Sequence, residues 1–98
     1  MSLPARIDAA SRPRLRPGVR LQFDAVRRQW VVQAPERVLM PDEIALAVLQ
    51  RCDGATSLAA IGDELARLYQ APGEEVLADI IELLQDLAGK GVIGDGPA

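Results

Sequence analysis

Few side chains in this 98-residue sequence could do chemistry. It holds one cysteine, Cys52, and no histidine. The commonest general base at neutral pH is therefore missing, and proton transfer would fall to a perturbed carboxylate or lysine. A lone cysteine without histidine builds neither an intrachain disulfide nor a zinc or transition-metal cluster. Cys52 falls at helical spacing from Ile44, Val48 and Leu49, which reads as an apolar filler, with no base beside it to make a thiolate. Ser57 stands where a helix N-cap belongs, and Asp53-Gly54 reads as a turn. Glu74 and Glu75 occupy a helix's first turn, where the dipole favours acids, so a helix start outweighs a catalytic carboxylate pair. No catalytic, cofactor or metal residue is assigned, and the expectation is a chain that is not an enzyme.

Those residues must be carried by a single small module. A chain of 98 residues, 49% apolar and 26% charged, matches an ordinary globular domain, too short for two lobes with a cleft between them. No apolar run approaches the roughly 18 residues of a membrane span, and no secretory signal pattern opens the sequence, so the expected compartment is the cytoplasm. Charge is unevenly divided. Residues 1–37 hold eight arginines against Asp8, Asp24 and Glu36, about +5, and residues 38–98 hold three bases against eleven acids, about −8. Such a split predicts attraction between the ends of the chain, between subunits, or toward a charged partner.

Residues 1–17, with Pro4, Pro13 and Pro17 among Arg6, Arg12, Arg14 and Arg16, read as a flexible extended arm, and residues 18–98 as the domain. Val19, Leu21 and Phe23 alternate with polar residues as a half-buried strand does, and Gln29 to Ala34 returns as a second. Arg37 to Met40, after Pro35, can pair as a third, edge strand. Helix signals then take over. Pro41-Asp42-Glu43 opens helix one, which carries Ile44, Ala45, Val48, Leu49 and Cys52 at helical spacing. Ser57 caps helix two, with the stripe Leu58, Ile61, Leu65 and Leu68, and Pro72 opens helix three, which stops at Gly89 or Gly91 before a short extended Val92-Ile93. The predicted class is α+β: a winged helix-turn-helix-like fold, with a three-stranded antiparallel N-terminal sheet followed by a three-helix bundle.

That shape suggests DNA binding, but helix three presents Glu74, Glu75, Asp79, Glu82 and Asp86, which phosphate would repel. The same helix has two adjoining apolar stripes, Val76-Ile80-Leu83-Leu87 and Leu77-Ile81-Leu84-Ala88, an arc of about 160° at about 100° per residue. One-sided packing needs only about 100°, so either helix one and the sheet cover both stripes or part of the arc is a groove for an apolar peptide or a second copy. An edge strand beside such a groove can be completed by an added peptide strand, or can simply be hydrated.

Arg12-Pro13-Arg14-Leu15 leading into Gly18-Val19-Arg20-Leu21, Pro35-Glu36, Cys52-Asp53-Gly54 and Ala71-Pro72 together resemble the PqqD family, the peptide chaperones of pyrroloquinoline quinone (PQQ) biosynthesis. The similarity runs from about Arg12 to Ile93 and rests on order and spacing. Many members have Leu-Asn-Glu where this chain has Pro41-Asp42-Glu43, and Asp42 can cap as asparagine does. The resemblance implies a non-catalytic adaptor that binds the precursor peptide PqqA and presents it to the radical S-adenosylmethionine enzyme PqqE. As a recognition element of ribosomally made, modified peptides (RiPPs), it would take the peptide on Arg37, Val38, Leu39 and Met40, against Leu77, Ile81 and Leu84. A winged-helix DNA-binding or regulatory module stays as the alternative. Neither nucleic acid nor membrane is an expected partner, and a homodimer by exchange of the arm or hairpin is open.

Overall fold

The computed structural model describes residues 6–96. Five strands and three helices follow in the order β1 (Pro13–Leu15), β2 (Arg20–Asp24), β3 (Gln29–Ala34), β4 (Arg37–Leu39), α1 (Glu43–Leu49), α2 (Leu58–Tyr69), α3 (Gly73–Gly89) and β5 (Ile93–Asp95). The α+β class holds, with three helices and antiparallel sheets. The simple order of sheet then bundle needs correction, because there are two sheets. Strands β2, β3 and β4 form one, and β1 pairs with β5 from the far end of the chain. In the first, Leu21 lies opposite Val32, Phe23 opposite Trp30, and Val32 opposite Leu39. In the second, Pro13 lies opposite Asp95 and Leu15 opposite Ile93.

The reading of residues 1–17 as an extended arm is likewise corrected from Ile7 onward; Met1 to Ala5 lie outside the described residues. Ile7 and Pro13 are buried, and the backbone is tied down at both ends. The amides of Leu58 and Ala59, which α2 itself leaves without acceptors, donate to the carbonyls of Ser11 (2.8 Å) and Ala9 (2.9 Å). The Arg12 amide donates to Asp95 Oδ1 at 2.7 Å, and Gly96 N donates to the Arg12 carbonyl at 2.8 Å. Composition misled here because backbone hydrogen bonds, added to the burial of Ile7 and Pro13, hold a segment that has few large apolar side chains. The two oppositely charged halves meet through these bonds. The three ion pairs among the described residues, Arg27–Asp24, Arg51–Glu64 and Lys90–Asp86, each lie within one half.

Local signals explain the helices. Asp42 caps α1, its Oδ1 accepting from Ala45 N at 2.8 Å, and Ser57 caps α2 by accepting from Ala60 N at 3.1 Å. Helix α1 ends at Leu49, a turn earlier than its spacing implied, so Cys52 lies beyond it with Sγ donating to the Val48 carbonyl at 3.2 Å. Gly91 is the stop of α3. At φ +77° it takes the left-handed conformation glycine adopts freely, its amide donates to the Ala88 carbonyl, and Val92 N donates to the Leu87 carbonyl. The core gathers Val32 from the sheet, Val48 from α1, Leu58, Ile61 and Leu65 from α2, Ile80 and Leu84 from α3, and Val92 and Ile93 beyond it. Leu68, placed by spacing on the buried stripe, is exposed in the last turn of α2 beside the exposed Tyr69.

Candidate functional site

Strand β4 lies at the edge of the three-stranded sheet, paired with β3 on one side and with no strand on the other among the described residues. Pro35 ends β3 and Pro41 ends β4, which keeps the edge short. In an antiparallel sheet the peptide groups of an edge strand point alternately to their partner and outward, so β4 offers unpaired donors and acceptors along its free side. Leu39 faces inward and is half-buried against the core, Val38 faces the opposite side and is exposed, and Met40 is exposed at the strand's end.

Beside this edge runs a groove of about 240 Å³. Leu39 and Met40 supply its strand side, Ala45 and Leu49 of α1 its end, and Leu83 and Leu87 of α3 its opposite wall, with Asp42, Asp86 and Lys90 at the polar rim. Lys90 Nζ lies 2.9 Å from Asp86 Oδ2, an exposed pair one helical turn apart that adds little to stability. Lys90 also borders a second cleft of about 160 Å³ with Glu36 and Arg37, at the end of β4 away from Met40.

Of the residues singled out in the sequence, Leu39 and Met40 line the groove and Arg37 lines the adjoining cleft. Val38 points to the sheet's outer face. Leu77, Ile81 and Leu84 are not brought to the groove. Leu84 is 0% exposed in the core, Ile81 is half-buried against that core, and Leu77 packs toward Gly62 of α2, where an added Cβ would lie 3.5 Å from the Leu77 side chain. The other apolar stripe faces β4, through Leu83 and Leu87. Periodicity marked both stripes; which one meets the edge strand depends on the rotation of α3 about its axis, set by its contact with α2 at Gly62. A third hollow of about 160 Å³ opens among Ile44, Leu65, Tyr69 and Val76.

The chemistry offered is recognition. Burial pushes the Cys52 thiol up to about 12, with Asp53 adding to the shift, so it is protonated at neutral pH and a poor nucleophile. The Asp53 carboxylate is held below its ordinary value by the amides of Ala55 and Thr56 and by the Thr56 hydroxyl, and it serves as a turn anchor ahead of α2. Among the described residues no group of three or more His, Cys, Asp or Glu side chains is placed to hold a metal. An extended peptide could add to β4 through backbone hydrogen bonds and set alternate apolar side chains against Leu83 and Leu87.

Residues 29–93 match the sequence profile of the family described as coenzyme PQQ synthesis protein D (PqqD). A protein of Rhodopseudomonas palustris (strain BisB5) named "PqqA binding protein" is 51% identical over 87 residues, 89% of this chain and 85% of that protein. The fold matches the solution structure of the PqqD truncation of Methylobacterium extorquens PqqCD, described as a functional, stand-alone RiPP recognition element. The TM-score is 0.76 at 40% identity, covering 89% of this chain and 93% of the other. The crystal structure of PqqD from Xanthomonas campestris matches with a TM-score of 0.54 at 51% identity, covering 86% and 93%. With residues 29–93 matched and a relative 51% identical over 89% of this chain, the chain belongs to the PqqD family.

Proposed function

We propose that this chain binds the precursor peptide PqqA as an added strand on β4 and presents it to PqqE for modification in PQQ biosynthesis, with no turnover of its own. The observation that carries the reading is the unpaired edge of β4 beside an apolar groove walled by Leu83 and Leu87. The relative's name and the description of the Methylobacterium structure point the same way. In this reading the three-stranded sheet is the wing of a winged-helix arrangement turned from DNA to peptide. Glu74, Glu75, Asp79, Glu82 and Asp86 are all exposed on α3 and would repel a phosphate backbone. No helix among the described residues is long and apolar enough to cross a membrane, which fits a cytoplasmic adaptor.

Titration of fluorescently labelled PqqA, and separately of duplex DNA, at physiological salt tests the reading. Saturable binding of peptide without DNA binding is expected; DNA binding without peptide binding would overturn it. Self-association by exchange of the N-terminal segment or hairpin is a further part of the proposal, with the β1–β5 pairing as the contact exchanged. Light scattering with and without residues 1–16, at low and high salt, tests it. A concentration-dependent dimer lost on truncation is expected, and a monomer at every concentration removes it.

A further inference from the structure

The turn of the β2–β3 hairpin carries apolar side chains the fold leaves uncovered. Val26 is 94% exposed and Phe23 51%. Phe23 lies opposite Trp30, and their rings meet edge to face with centroids 5.8 Å apart. These are the chain's only phenylalanine and only tryptophan. The turn is well built: Asp24 Oδ1 accepts from Val26 N at 3.0 Å and Arg27 N at 3.1 Å. Arg28 follows at φ +55°, a left-handed conformation that glycine or asparagine adopts at lower cost. The Arg28 side chain is exposed and makes no ion pair among the described residues. Nothing among the described residues rewards an arginine there. From Arg20 to Gln33 three arginines stand against one acid, Asp24, in a chain of net charge −3.

The position of this patch gives it meaning. Leu39 pairs with Val32, and Trp30 lies two residues nearer the turn, about 7 Å along the strand. Gln29 Nε2 donates to Met40 Sδ at 3.0 Å, closing the end of β4 against the start of β3. A peptide strand on β4 therefore leaves the sheet past Met40, alongside the hairpin turn.

We propose that the hairpin turn, through Phe23, Val26, Arg28 and Trp30, is the surface that docks on the peptide-modifying enzyme, fitting an apolar cleft rimmed by carboxylates. The inference rests on the proposed function and names the contact for its delivery step. An exposed phenylalanine set edge to face on a half-buried tryptophan, with an adjacent unpaired arginine, has the composition of interface anchors, and the local positive charge selects an acidic rim. A protein surface is favoured over nucleic acid because Val26 and Phe23 present apolar area and the chain as a whole is acidic.

The test uses purified PqqE from the same organism as the probe, with PqqA titrated in parallel against each variant. Val26→Asp and Arg28→Glu change exposed side chains and should leave folding intact, whereas Phe23→Ser opens the ring pair. Each is expected to weaken PqqE binding at least about tenfold while changing PqqA binding less than about twofold. Arg28→Gly relieves the left-handed backbone, so it should raise the melting temperature and still weaken PqqE binding. Folded Val26→Asp and Arg28→Glu proteins that bind PqqE as the wild type does would overturn the inference. So would duplex DNA binding abolished by Arg28→Glu. Loss of PqqA binding by the wild-type chain would instead strike the proposed function.

Discussion

Replacing Leu83 by aspartate separates the groove from the core more sharply than any other single change. Leu83 is half-buried, lines the groove and faces Leu39 across it, whereas Leu84, the next residue, is fully enclosed. Full burial of a leucine side chain is worth about 1.5–3 kcal/mol, so the half that a peptide would newly cover contributes about 1 kcal/mol. A carboxylate there must also give up water when the peptide closes over it, which costs more than the roughly 1–3 kcal/mol of a neutral polar group. The total of at least about 2 kcal/mol corresponds to at least a roughly 30-fold loss of PqqA affinity. In the free protein the carboxylate keeps its water, so the melting temperature should move by only a few degrees. Leu84→Asp should instead unfold the chain, because it places a charge among Ile61, Ile80 and Ile93. Titration calorimetry with PqqA, alongside far-ultraviolet circular dichroism melts, measures both. If Leu83→Asp binds PqqA normally while a folded Ile81→Asp protein does not, the groove has been assigned to the wrong face of α3.

Three further outcomes follow from the same geometry. Because amides alternate along an edge strand, one of Val38→Pro and Leu39→Pro removes an outward donor and the other a β3–β4 bond; calorimetry should find about tenfold weaker PqqA binding with an unchanged melt for the first kind, and neither doing so argues against strand addition. Deleting residues 1–16 removes the buried Ile7, the partner strand of β5 and the acceptors of Leu58 and Ala59, which at about 4 kcal/mol should lower the melting temperature by at least about 15 °C; an unchanged melt would restore the free-arm reading. Cys52, its thiol raised from 9.0 to about 12, should resist alkylation at pH 8 until the chain unfolds, and since the folded state holds that proton more tightly, its contribution to stability should be complete below about pH 9 and fade as pH climbs toward about 12, a trend that pH-dependent melts can follow.

The hairpin, the edge strand and the three helix starts were legible in the sequence because each is written locally. The β-branched and aromatic run Trp30-Val31-Val32 gave β3 its observed bounds, and the oxygens of Asp42 and Ser57 made both caps. What escaped depends on contacts between distant segments. Nothing near Pro13 signals that it will meet Asp95, some eighty residues on, since the pairing is between backbone groups and Pro13 even lacks an amide. The groove was half legible: Leu39 and Met40 were in hand, and Leu83 and Leu87 belonged to a recognised stripe. Leu77, Ile81 and Leu84, which the resemblance implied for the peptide, do not line the groove, because α3 meets α2 at Gly62 through both Leu77 and Ile80 and periodicity carries no reference for that rotation. The Phe23–Trp30 pair shows the converse, since its alternation reads as ordinary strand while the register leaves Phe23 half in solvent.

Amide hydrogen exchange, read residue by residue by nuclear magnetic resonance with and without saturating PqqA, tests peptide addition on β4 most directly. Outward-facing amides between Arg37 and Met40 should gain protection on peptide addition, with the methyl signals of Leu83 and Leu87 shifting and those of Leu77 nearly still. Unchanged exchange along β4 with peptide bound, and shifts gathered instead around Tyr69 and Val76, would contradict the account.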